Sequence, residues 1–370
     1  MDWEGILANK IAGLEAYKAG KTKAQISRQY NIENVIKFAS NESPVSLPDS
    51  VKEAILSSLE EGHCYPDYQD LLDAIADVSD VTADQVVLGN GSIDVIEQVF
   101  QLVSKQGKNI VVSQYGYASY PLLADKYGLD VKVAPSGPSF SHQIDTMCEH
   151  VDDNTALVVI DSPTNMSGSS LTIDEIEKLL QHVPLCSIVL LDQAYIEFTD
   201  AYLATQTVKL LSRYSNLILT RTFSKSYGLA GLRVGYGLSN SEAISWIRKI
   251  QKPFPVSGVA VDAALAVLSD KQHLASIQEH TKKGKRYLTC EFRHRGFDVF
   301  QSEGNFILVD FRSDTSRLTT ELLQKGFILR KMESYGRADL VRVSVSSMDN
   351  NEDLVNEIER LTTKNAEDPR

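Results

Sequence analysis

The sequence predicts an α/β protein, with a large domain built on a mostly parallel, helix-covered sheet and a smaller α+β domain after it. The chain has 370 residues, which favours two domains because a single hydrophobic core rarely extends that far. Short runs rich in Val, Ile and Leu alternate with helices through its middle, as in helix-covered parallel sheets. From about Ser241 long helices replace this alternation, which indicates a second unit.

The elements before residue 80 follow from local patterns. The stretch "VIKFASNESP" predicts a short strand that runs into a turn. Apolar residues recur at helical spacing from Val51 to Leu59 and again from Leu71 to Ile75, so two helices are expected there. Residues 1–35 are polar and mixed, and we expect them to form an N-terminal arm.

The middle of the chain supplies the strands of the large sheet. They lie in the segments "QVVLGNGS", "NIVVS", "DVKVA", "ALVVIDSPTN", "SIVLLDQAY", "NLILT" and "RVGYGLS". These runs are apolar on both faces, which is typical of strands buried between two layers of helices. One intervening helix is expected from about Ile173, after a capping box formed by Thr172 and Glu175.

The last third of the chain has a different pattern. A long helix is expected from about Gln272 to Arg295, followed by strands such as "NFILVD" and "LVRVSV" that alternate with helices. We therefore expect a large cofactor-binding domain over residues 36–255 and a small α+β domain over residues 256–370.

The composition excludes several classes of protein. A net charge of −12 argues against a general nucleic-acid or anionic-membrane surface. No apolar run approaches the length of a membrane span, and the start "MDWEGILANK" lacks the features of an export signal. The four cysteines are scattered without metal-binding spacing. We therefore expect free thiols, no metal and a cytoplasmic location.

Polar residues follow several predicted strands, where ligands bind in doubly wound sheets. The loop "GNGS", ending at Ser92, precedes a predicted helix and is suited to bind a phosphate. Taken alone, the same pattern is also typical of an ordinary turn between a strand and a helix. Asn165 could donate to a ligand or shape its own turn. Asp192 ends a buried strand, where a carboxylate must meet a ligand cation, a helix cap or an internal ion pair.

The stretch "RTFSKSYGLAGLRVGYG" contains Lys225 and Arg233, and the segments around it are predicted to be buried strands. A buried cation needs a partner or a function. Arginine pairs bidentately with phosphate. A lysine desolvated near other cations loses its proton readily and can then form a Schiff base with an aldehyde.

Together these strand ends describe one ligand, with a phosphate, an aldehyde, a basic ring nitrogen and a ring oxygen. The residues that would meet these four groups are, in the same order, Ser92, Thr222, Ser224 and Arg233; Lys225; Asp192; and Asn165 with Tyr195. Pyridoxal 5′-phosphate has all four groups. Each match alone is weak, but their order on successive strands predicts this cofactor.

The same motifs resemble those of the histidinol-phosphate aminotransferases, which have the aspartate aminotransferase fold type I. The resemblance runs from about Tyr17 to Ser346, through "FASNESP", "YPD", "GNGS", "SPTNMSG", "LDQAY" and "RTFSKSYGLAGLRVGY". It implies a pyridoxal phosphate-dependent aminotransferase of histidine biosynthesis, with glutamate and 2-oxoglutarate as the partner pair.

The resemblance assigns roles by position. Lys225 is similar to the Schiff-base lysine and proton shuttle, and Asp192 to the partner of the pyridine nitrogen. Asn165 and Tyr195 match the residues on the ring hydroxyl, and Tyr117 matches the aromatic that stacks on the ring. The residues that match the phosphate-binding cup are Ser92, the backbone of Ile93, Thr222, Ser224 and Arg233.

Further positions concern the substrate and a second subunit. Tyr65 matches a tyrosine that reaches the cofactor phosphate of the neighbouring subunit, which implies a homodimer with shared active sites. Arg342 matches the arginine that binds the substrate carboxylate, with an internal salt bridge as the alternative. Arg330 and Tyr17 match positions near the distal group of the substrate, and Asn41 lies at the entrance turn.

Four positions depart from the family pattern. Met166 stands where proline usually follows the key asparagine, and Gln193 stands where a glutamate is usual. Ile93 replaces a common acidic residue, and Ala19 replaces a proline. None of these changes removes a group that contacts the cofactor chemically, so they leave the substrate more open than the reaction.

Other functions remain open at the level of sequence. The same scaffold resembles aromatic aminotransferases and threonine-phosphate decarboxylases. A non-catalytic cofactor-binding protein is a further alternative, although the complete set of cofactor residues and the lack of an added DNA-binding domain argue against it. A nucleotide-binding protein using "GNGS" would leave Lys225 and Asp192 unexplained.

Overall fold

The structure is a computed structural model and describes residue 13 and residues 20–367. Twelve strands in these residues form two sheets. The strands are β1 (Ile36–Phe38), β2 (Val86–Gly89), β3 (Asn109–Ser113), β4 (Asp130–Ala134), β5 (Thr155–Asp161), β6 (Ile188–Asp192), β7 (Leu217–Thr222), β8 (Gly235–Leu238), β9 (Asp298–Phe300), β10 (Phe306–Asp310), β11 (Phe327–Met332) and β12 (Arg337–Ser344).

Thirteen α-helices accompany these strands in the described part of the chain. They are α1 (Lys23–Tyr30), α2 (Asp49–Ser58), α3 (Gln69–Ser79), α4 (Ser92–Leu102), α5 (Ser119–Lys126), α6 (Ile144–Glu149), α7 (Ile173–His182), α8 (Ala201–Lys209), α9 (Ser241–Ile250), α10 (Gly258–Ser269), α11 (Lys271–His294), α12 (Ser316–Gln324) and α13 (Met348–Glu367). The predicted capping box of Thr172 and Glu175 begins α7, and the predicted long helix is α11.

The larger sheet has the strand order β2-β8-β7-β6-β5-β3-β4. The pairs from β4 to β7 are all parallel, whereas β8 runs antiparallel to both β7 and β2. A parallel neighbour requires a long crossover, usually through a helix. Only a loop and one short 3₁₀ turn lie between β7 and β8, so β8 returns antiparallel. The predicted α/β class with a mostly parallel sheet is confirmed.

Both faces of the larger sheet are covered, which explains why its strands are apolar throughout. Along β5, Val158 and Ile160 pack into one core with residues of α3, α7 and α10. Leu157 and Val159 point to the other face and pack with residues of α4, α5 and α9. Side chains alternate between the faces of a strand, so β5 fills two cores at once. Its carboxyl end is thereby fixed from both sides.

The second sheet has the order β1-β11-β12-β10-β9. Its core contains residues of α11 and α13. The strand β1 pairs in parallel with β11, with Ile36 opposite Phe327. The large domain is expected to begin at residue 36, and the strand that begins there lies in the second sheet. The helix α1, in the predicted arm, packs Ile26 against the same region through Val35 and Ile328.

The helix that follows the boundary expected at residue 255 packs with the larger sheet. The helix α10 lies beyond that residue, yet Ala260 and Val267 pack into the core of the larger sheet. Its main helical neighbour is α2. The sequence of α10 is strongly apolar and five of its residues are buried, which suits this covered position. The division of the chain into folding units at residues 35 and 255 stays a prediction.

None of the helices in the described residues combines the length and the apolar composition needed to cross a lipid bilayer.

Candidate functional site

A cavity of about 190 Å³ lies at the carboxyl ends of β5, β6 and β7, beside the start of α4. The fold brings every predicted cofactor residue except Tyr65 to its wall. The lining residues are Ser92, Ile93, Ile96, Tyr117, Asp161, Pro163, Asn165, Asp192, Ala194, Tyr195, Thr222, Ser224, Lys225 and Arg233. We call this space the inner cavity.

One end of the inner cavity is suited to an anion. Gly91 precedes α4 with φ +77°, and a Cβ at this position would collide with the guanidinium of Arg233. Glycine therefore lets Arg233 lie against the start of the helix, where unpaired backbone N–H groups point outwards. Nη1 of Arg233 donates to the hydroxyl of Ser224 at 3.2 Å. Helix start, guanidinium and hydroxyl together fit a phosphate.

Lys225 lines the inner cavity together with Arg233 and Ser224. Its Nζ donates to the carbonyl oxygen of Ser40 at 2.9 Å and lies 6.0 Å from the ring centre of Tyr195. Desolvation by the surrounding protein, and then the charge of Arg342, lowers the pKa of Lys225 to about 8. A substantial fraction of the amine is then neutral near physiological pH, so that it can act as a nucleophile or a base.

Asp192 is buried at the end of β6. Its carboxylate accepts hydrogen bonds from the hydroxyls of Tyr120 at 3.1 Å and Thr220 at 3.2 Å. Burial, and then the charge of Asp161, raises the pKa of Asp192 to about 7. The described residues provide neither a basic partner nor a helix start for this side chain, so both internal alternatives are absent there. A cationic group on a ligand would satisfy it.

The hydroxyl of Tyr195 is held by two amides. It accepts from Nδ2 of Asn41 at 2.9 Å and from Nδ2 of Asn165 at 2.8 Å. Burial raises the pKa of Tyr195 to about 12, so the phenol keeps its proton. Because both lone pairs meet donors, that proton is left to be donated to a ligand oxygen.

A second cavity of about 360 Å³ adjoins the first and shares four of its wall residues. We call it the outer cavity. Its lining residues are Gly20, Lys21, Ala39, Ser40, Tyr117, Asn165, Tyr195, Lys225, Thr319, Leu323, Ile328, Leu329, Arg330, Lys331 and Arg342. Five of these side chains are basic and none is acidic, so the outer cavity is suited to an anionic ligand.

Arg342 lies buried on β12 at the boundary between the two cavities. Its Nη1 donates to the backbone oxygen of Asn165 at 2.6 Å and to Oδ1 of the same residue at 2.7 Å. Its Nη2 donates to the carbonyl of Ala39 at 3.1 Å, while Nε has no hydrogen-bond partner. Within the described residues no carboxylate pairs with Arg342, so the predicted alternative of an internal salt bridge is absent there.

Two of the predicted residues line neither cavity. Tyr65 is 78% exposed and stacks on Phe254, with ring centres 4.1 Å apart. Asn41 is fully buried and lines neither cavity; apart from holding Tyr195, it accepts through Oδ1 from the hydroxyl of Ser344 at 2.7 Å. Tyr17 lies outside the described residues.

Two of the four departures from the family pattern line neither cavity. Met166 is buried in a small apolar cluster. Gln193 faces away from Asp192, donating to the hydroxyl of Thr207 at 2.9 Å and accepting from Nε of Arg221 at 3.0 Å. Ile93 lines the inner cavity, and Ala19 lies outside the described residues.

Sequence reasoning missed several residues at the site. Tyr120 follows Tyr117 by one helical turn, a spacing that could have placed both beside the same ligand. Asp161 ends β5 directly before the predicted turn and could have been found as a second buried carboxylate at a strand end. The contact with the carbonyl of Ser40 has no sequence signal, because every residue of the chain carries the same backbone group.

The predicted absence of a metal site stays a prediction. All four cysteines are free. In the part of the chain that the structure describes, Glu61, His63 and Cys64 form one group whose potential ligand atoms lie within 4.8 Å of one another. All three side chains are exposed, as ordinary polar surface residues are.

Comparisons with known proteins agree with this geometry. Residues 33–358 match the family model described as aminotransferase class I and II. Histidinol-phosphate aminotransferase 2 of Haemophilus influenzae (strain 86-028NP) is 35% identical over 354 residues, which cover 95% of this chain and 96% of that protein.

Two solved structures show the same fold. Histidinol-phosphate aminotransferase from Sinorhizobium meliloti, in complex with pyridoxal-5′-phosphate, has a TM-score of 0.88 at 24% identity and covers 96% of this chain and 98% of its own. L-threonine-O-3-phosphate decarboxylase from Porphyromonas gingivalis has a TM-score of 0.77 at 20% identity, with coverage of 89% and 100%. The family match and the identity to relatives along nearly the whole chain decide the classification. The chain belongs to the class I and II aminotransferases.

Proposed function

We propose that this chain is a pyridoxal 5′-phosphate-dependent aminotransferase of histidine biosynthesis, which exchanges the amino group between histidinol phosphate and the glutamate/2-oxoglutarate pair. The observation that carries the proposal is the position of Lys225. Its amine, with a pKa lowered to about 8, lines both the inner cavity and the cationic outer cavity. A nucleophilic amine therefore stands between a cofactor site and a substrate site.

The inner cavity fits the cofactor group by group. The start of α4 with Arg233 and Ser224 would hold the phosphate, and the buried carboxylate of Asp192 would meet the ring nitrogen. The hydroxyl of Tyr195 would donate a hydrogen bond to the ring oxygen. When bound, pyridoxal phosphate supplies an aldehyde that links to amines and a ring that takes up electrons from the substrate carbon.

Lys225 would then carry the proton transfers. A general base or acid works best when its pKa is near the working pH, and the pKa of about 8 meets this condition. The carbonyl of Ser40 accepts a hydrogen bond from Nζ, which orients the amine without neutralising it. The same side chain would take a proton from the substrate carbon as a general base. It would then donate that proton, as a general acid, to the carbon of the cofactor that carries the amino group.

The outer cavity supports an anionic substrate. Glutamate carries carboxylates and histidinol phosphate carries a phosphate, and Arg342 lies where either group could meet a buried guanidinium. Arg330 lines the same cavity and has no hydrogen-bond or ion-pair partner among the described residues. Bidentate binding of carboxylate or phosphate is the usual function of such arginines. The relatives named above add support for histidinol phosphate as the substrate.

A homodimer with shared active sites is part of the proposal. Tyr65 stacks on Phe254, which is itself 49% exposed. Leu56 and Leu59, a few residues earlier in the chain, are also largely exposed. Large apolar side chains left exposed near one another are typical of an interface. The four free thiols further fit a reducing compartment, and we propose the cytoplasm.

A threonine-phosphate decarboxylase is the second candidate, because the cationic outer cavity would also accept phosphothreonine. The structural likeness to such an enzyme concerns the scaffold alone. An aromatic aminotransferase is less consistent with an outer cavity of five basic side chains, since an aromatic substrate offers them only one carboxylate.

An assay with three substrates separates these functions. The purified protein, supplied with pyridoxal phosphate and 2-oxoglutarate, would be given histidinol phosphate, phenylalanine or threonine phosphate in parallel. The proposal predicts glutamate formation chiefly with histidinol phosphate and no carbon dioxide with any of them. Release of carbon dioxide from threonine phosphate would contradict the proposal and favour a decarboxylase. Turnover of phenylalanine alone would contradict it and favour an aromatic aminotransferase.

A further inference from the structure

A second buried carboxylate lies next to Asp192. Asp161 ends β5 as Asp192 ends β6, and the two residues are direct partners in the parallel pairing. Asp161 is almost fully buried and lines the inner cavity. A buried carboxylate is costly unless it is paired or performs a function. Nothing in the family resemblance assigns a role to this residue.

The only basic group within ion-pair distance of Asp161, among the described residues, is His142. Its Nε2 lies 3.5 Å from Oδ1 of Asp161 and 2.7 Å from the backbone oxygen of the same residue. A carbonyl oxygen can only accept, so Nε2 carries the proton and donates it. His142 is itself buried, and its Nδ1 has no hydrogen-bond partner in the described part of the chain.

The carboxylate of Asp161 also holds two loops that bound the inner cavity. Its Oδ2 accepts from the backbone N–H of Asn165 at 2.5 Å, and its Oδ1 accepts from the backbone N–H of Tyr117 at 3.3 Å. Asn165 contacts the hydroxyl of Tyr195, and Tyr117 lines both cavities. One side chain therefore connects two segments that contribute wall residues to the inner cavity.

We propose that Asp161 and His142 form a positioning pair for the cofactor: Asp161 fixes the loops of Tyr117 and Asn165 and places a second negative charge behind Asp192, and His142 orients Asp161. This inference rests on the proposed cofactor site. The charge has a direct consequence, because after burial it is the main cause of the raised pKa of Asp192. A cationic ring nitrogen would relieve the repulsion between the two carboxylates.

The pair acts through other residues and not on the substrate, so the test measures cofactor binding directly. Asp161→Asn keeps the shape but removes the charge and one accepting oxygen. His142→Ala removes the donor to Asp161, whereas His142→Gln retains an N–H donor on a side chain of similar reach. Asn109→Ala is the matched control, since Asn109 also ties β3 to the β5 region through Thr155 at 2.9 Å, at the opposite end of the strands.

The dissociation constant of pyridoxal phosphate would be measured by titrating each cofactor-free protein, together with its melting temperature and its visible absorbance band. Asp161→Asn is expected to weaken binding by about tenfold or more, the typical effect of losing a hydrogen bond to a charged group. His142→Ala should weaken binding in the same direction, and His142→Gln should restore it. Asn109→Ala should lower the melting temperature without changing the dissociation constant.

Two results would overturn the inference in distinguishable ways. If the wild-type protein binds pyridoxal phosphate but Asp161→Asn and His142→Ala bind it within twofold of wild type, the pair has no positioning role. If the wild-type protein binds none, the proposed function fails and this inference fails with it. Should Asp161→Asn not fold, the comparison of His142→Ala with His142→Gln decides, because a merely structural histidine would change stability and leave affinity unaltered.

Discussion

Arg342 holds Asn165 with a single nitrogen, Nη1, which donates both to the backbone oxygen at 2.6 Å and to Oδ1 at 2.7 Å. The amide nitrogen of Asn165 donates in turn to Tyr195. A strand of the second sheet is thereby linked to the inner cavity through one side chain. Substrate binding at Arg342 and cofactor binding at Tyr195 are expected to be coupled through Asn165.

Substitution of Arg342 should therefore affect both binding and turnover. In Arg342→Lys the ammonium group keeps the charge but cannot form the bidentate contact. We expect the KM for glutamate to rise by roughly 10- to 100-fold, in line with the loss of a charge-assisted pair, and kcat to fall because Asn165 loses its support. Steady-state kinetics of both half-reactions would measure this.

Arg337→Lys is the matched control, because Arg337 lies on the same strand and its guanidinium pairs with Asp339 away from the cavities. It should leave both constants close to wild type. Equal effects of the two substitutions, or an unchanged KM in Arg342→Lys, would show that Arg342 does not bind the substrate.

Arg330 should distinguish the two substrates. It lines the outer cavity without a partner among the described residues, whereas the neighbouring Lys331 pairs with Glu333 at 2.7 Å. We expect Arg330→Ala to raise the KM for histidinol phosphate by roughly 10- to 100-fold, because a phosphate loses a charged hydrogen-bond donor. The KM for glutamate should change much less.

The control for Arg330 is Lys331→Ala, which removes an adjacent charge that is already paired. It should change neither KM by more than about twofold, as is typical for surface ion pairs. If Lys331→Ala reproduced the effect of Arg330→Ala, the general field of the cavity would be responsible, and no specific phosphate contact could be assigned to Arg330.

Asp192 should make the cofactor-free protein sensitive to pH. Its pKa is raised in the folded state from 3.8 to about 7, so the unfolded chain ionises first as the pH rises. The stabilisation is complete below pH 3.8 and is lost as the pH rises towards 7. The free energy of unfolding of wild type, relative to Asp192→Asn, should fall by up to about 1.4 kcal/mol for each pH unit in that window.

Urea denaturation of the two cofactor-free proteins at several pH values would measure this difference. Lys225, whose pKa is lowered to about 8, contributes only at higher pH and does not disturb the window. A difference that stays constant between pH 4 and 7, or increases, would mean that Asp192 is already ionised in the empty site.

Tyr65 provides a test of the shared active site. Tyr65→Phe keeps the ring stacked on Phe254 and removes only the hydroxyl, which should weaken cofactor binding by about tenfold if it contacts the phosphate. Mixing Tyr65→Phe with the inactive Lys225→Ala would form heterodimers with one intact site. In an equal mixture with random pairing, about half of the dimers are heterodimers, and each has one intact site of two. At limiting cofactor the mixture should therefore regain about a quarter of the wild-type activity.

The two variants would be unfolded and refolded together so that their subunits exchange. The activity of this mixture would then be compared with the activity of each variant refolded alone. Light scattering would report the mass of the particle. Activity no higher than the mean of the two separate variants, or a monomeric mass, would exclude a site shared between subunits.

Much of the cofactor site could be predicted because its residues follow strands with a strong local pattern. Asp192 ends the apolar strand β6, and Lys225 lies three residues after the end of β7. The parallel arrangement brings such ends together. Local pattern cannot predict pairing between distant segments. The strand β1 pairs with β11 almost 300 positions later, and neither partner's sequence specifies the other.

The same limit applies to side-chain contacts. The resemblance assigns Asn41 to the entrance turn, and it gives no sign that the amide of Asn41 donates to Tyr195, 154 positions away. The contact of Arg342 with Asn165 spans 177 positions. His142, which precedes α6, contacts Asp161 at the end of β5, 19 positions later. These contacts depend on tertiary packing, which residue type and spacing do not determine.

The most direct test of the central claim is an absorbance titration of the purified protein loaded with pyridoxal phosphate. Covalently held cofactor gives a visible band, which should disappear on addition of histidinol phosphate and return on addition of 2-oxoglutarate. Lys225→Ala, treated identically, should not complete this cycle. A wild-type band that histidinol phosphate leaves unchanged, while glutamate removes it, would contradict the proposed substrate; a protein that never acquires the band would contradict the cofactor site itself.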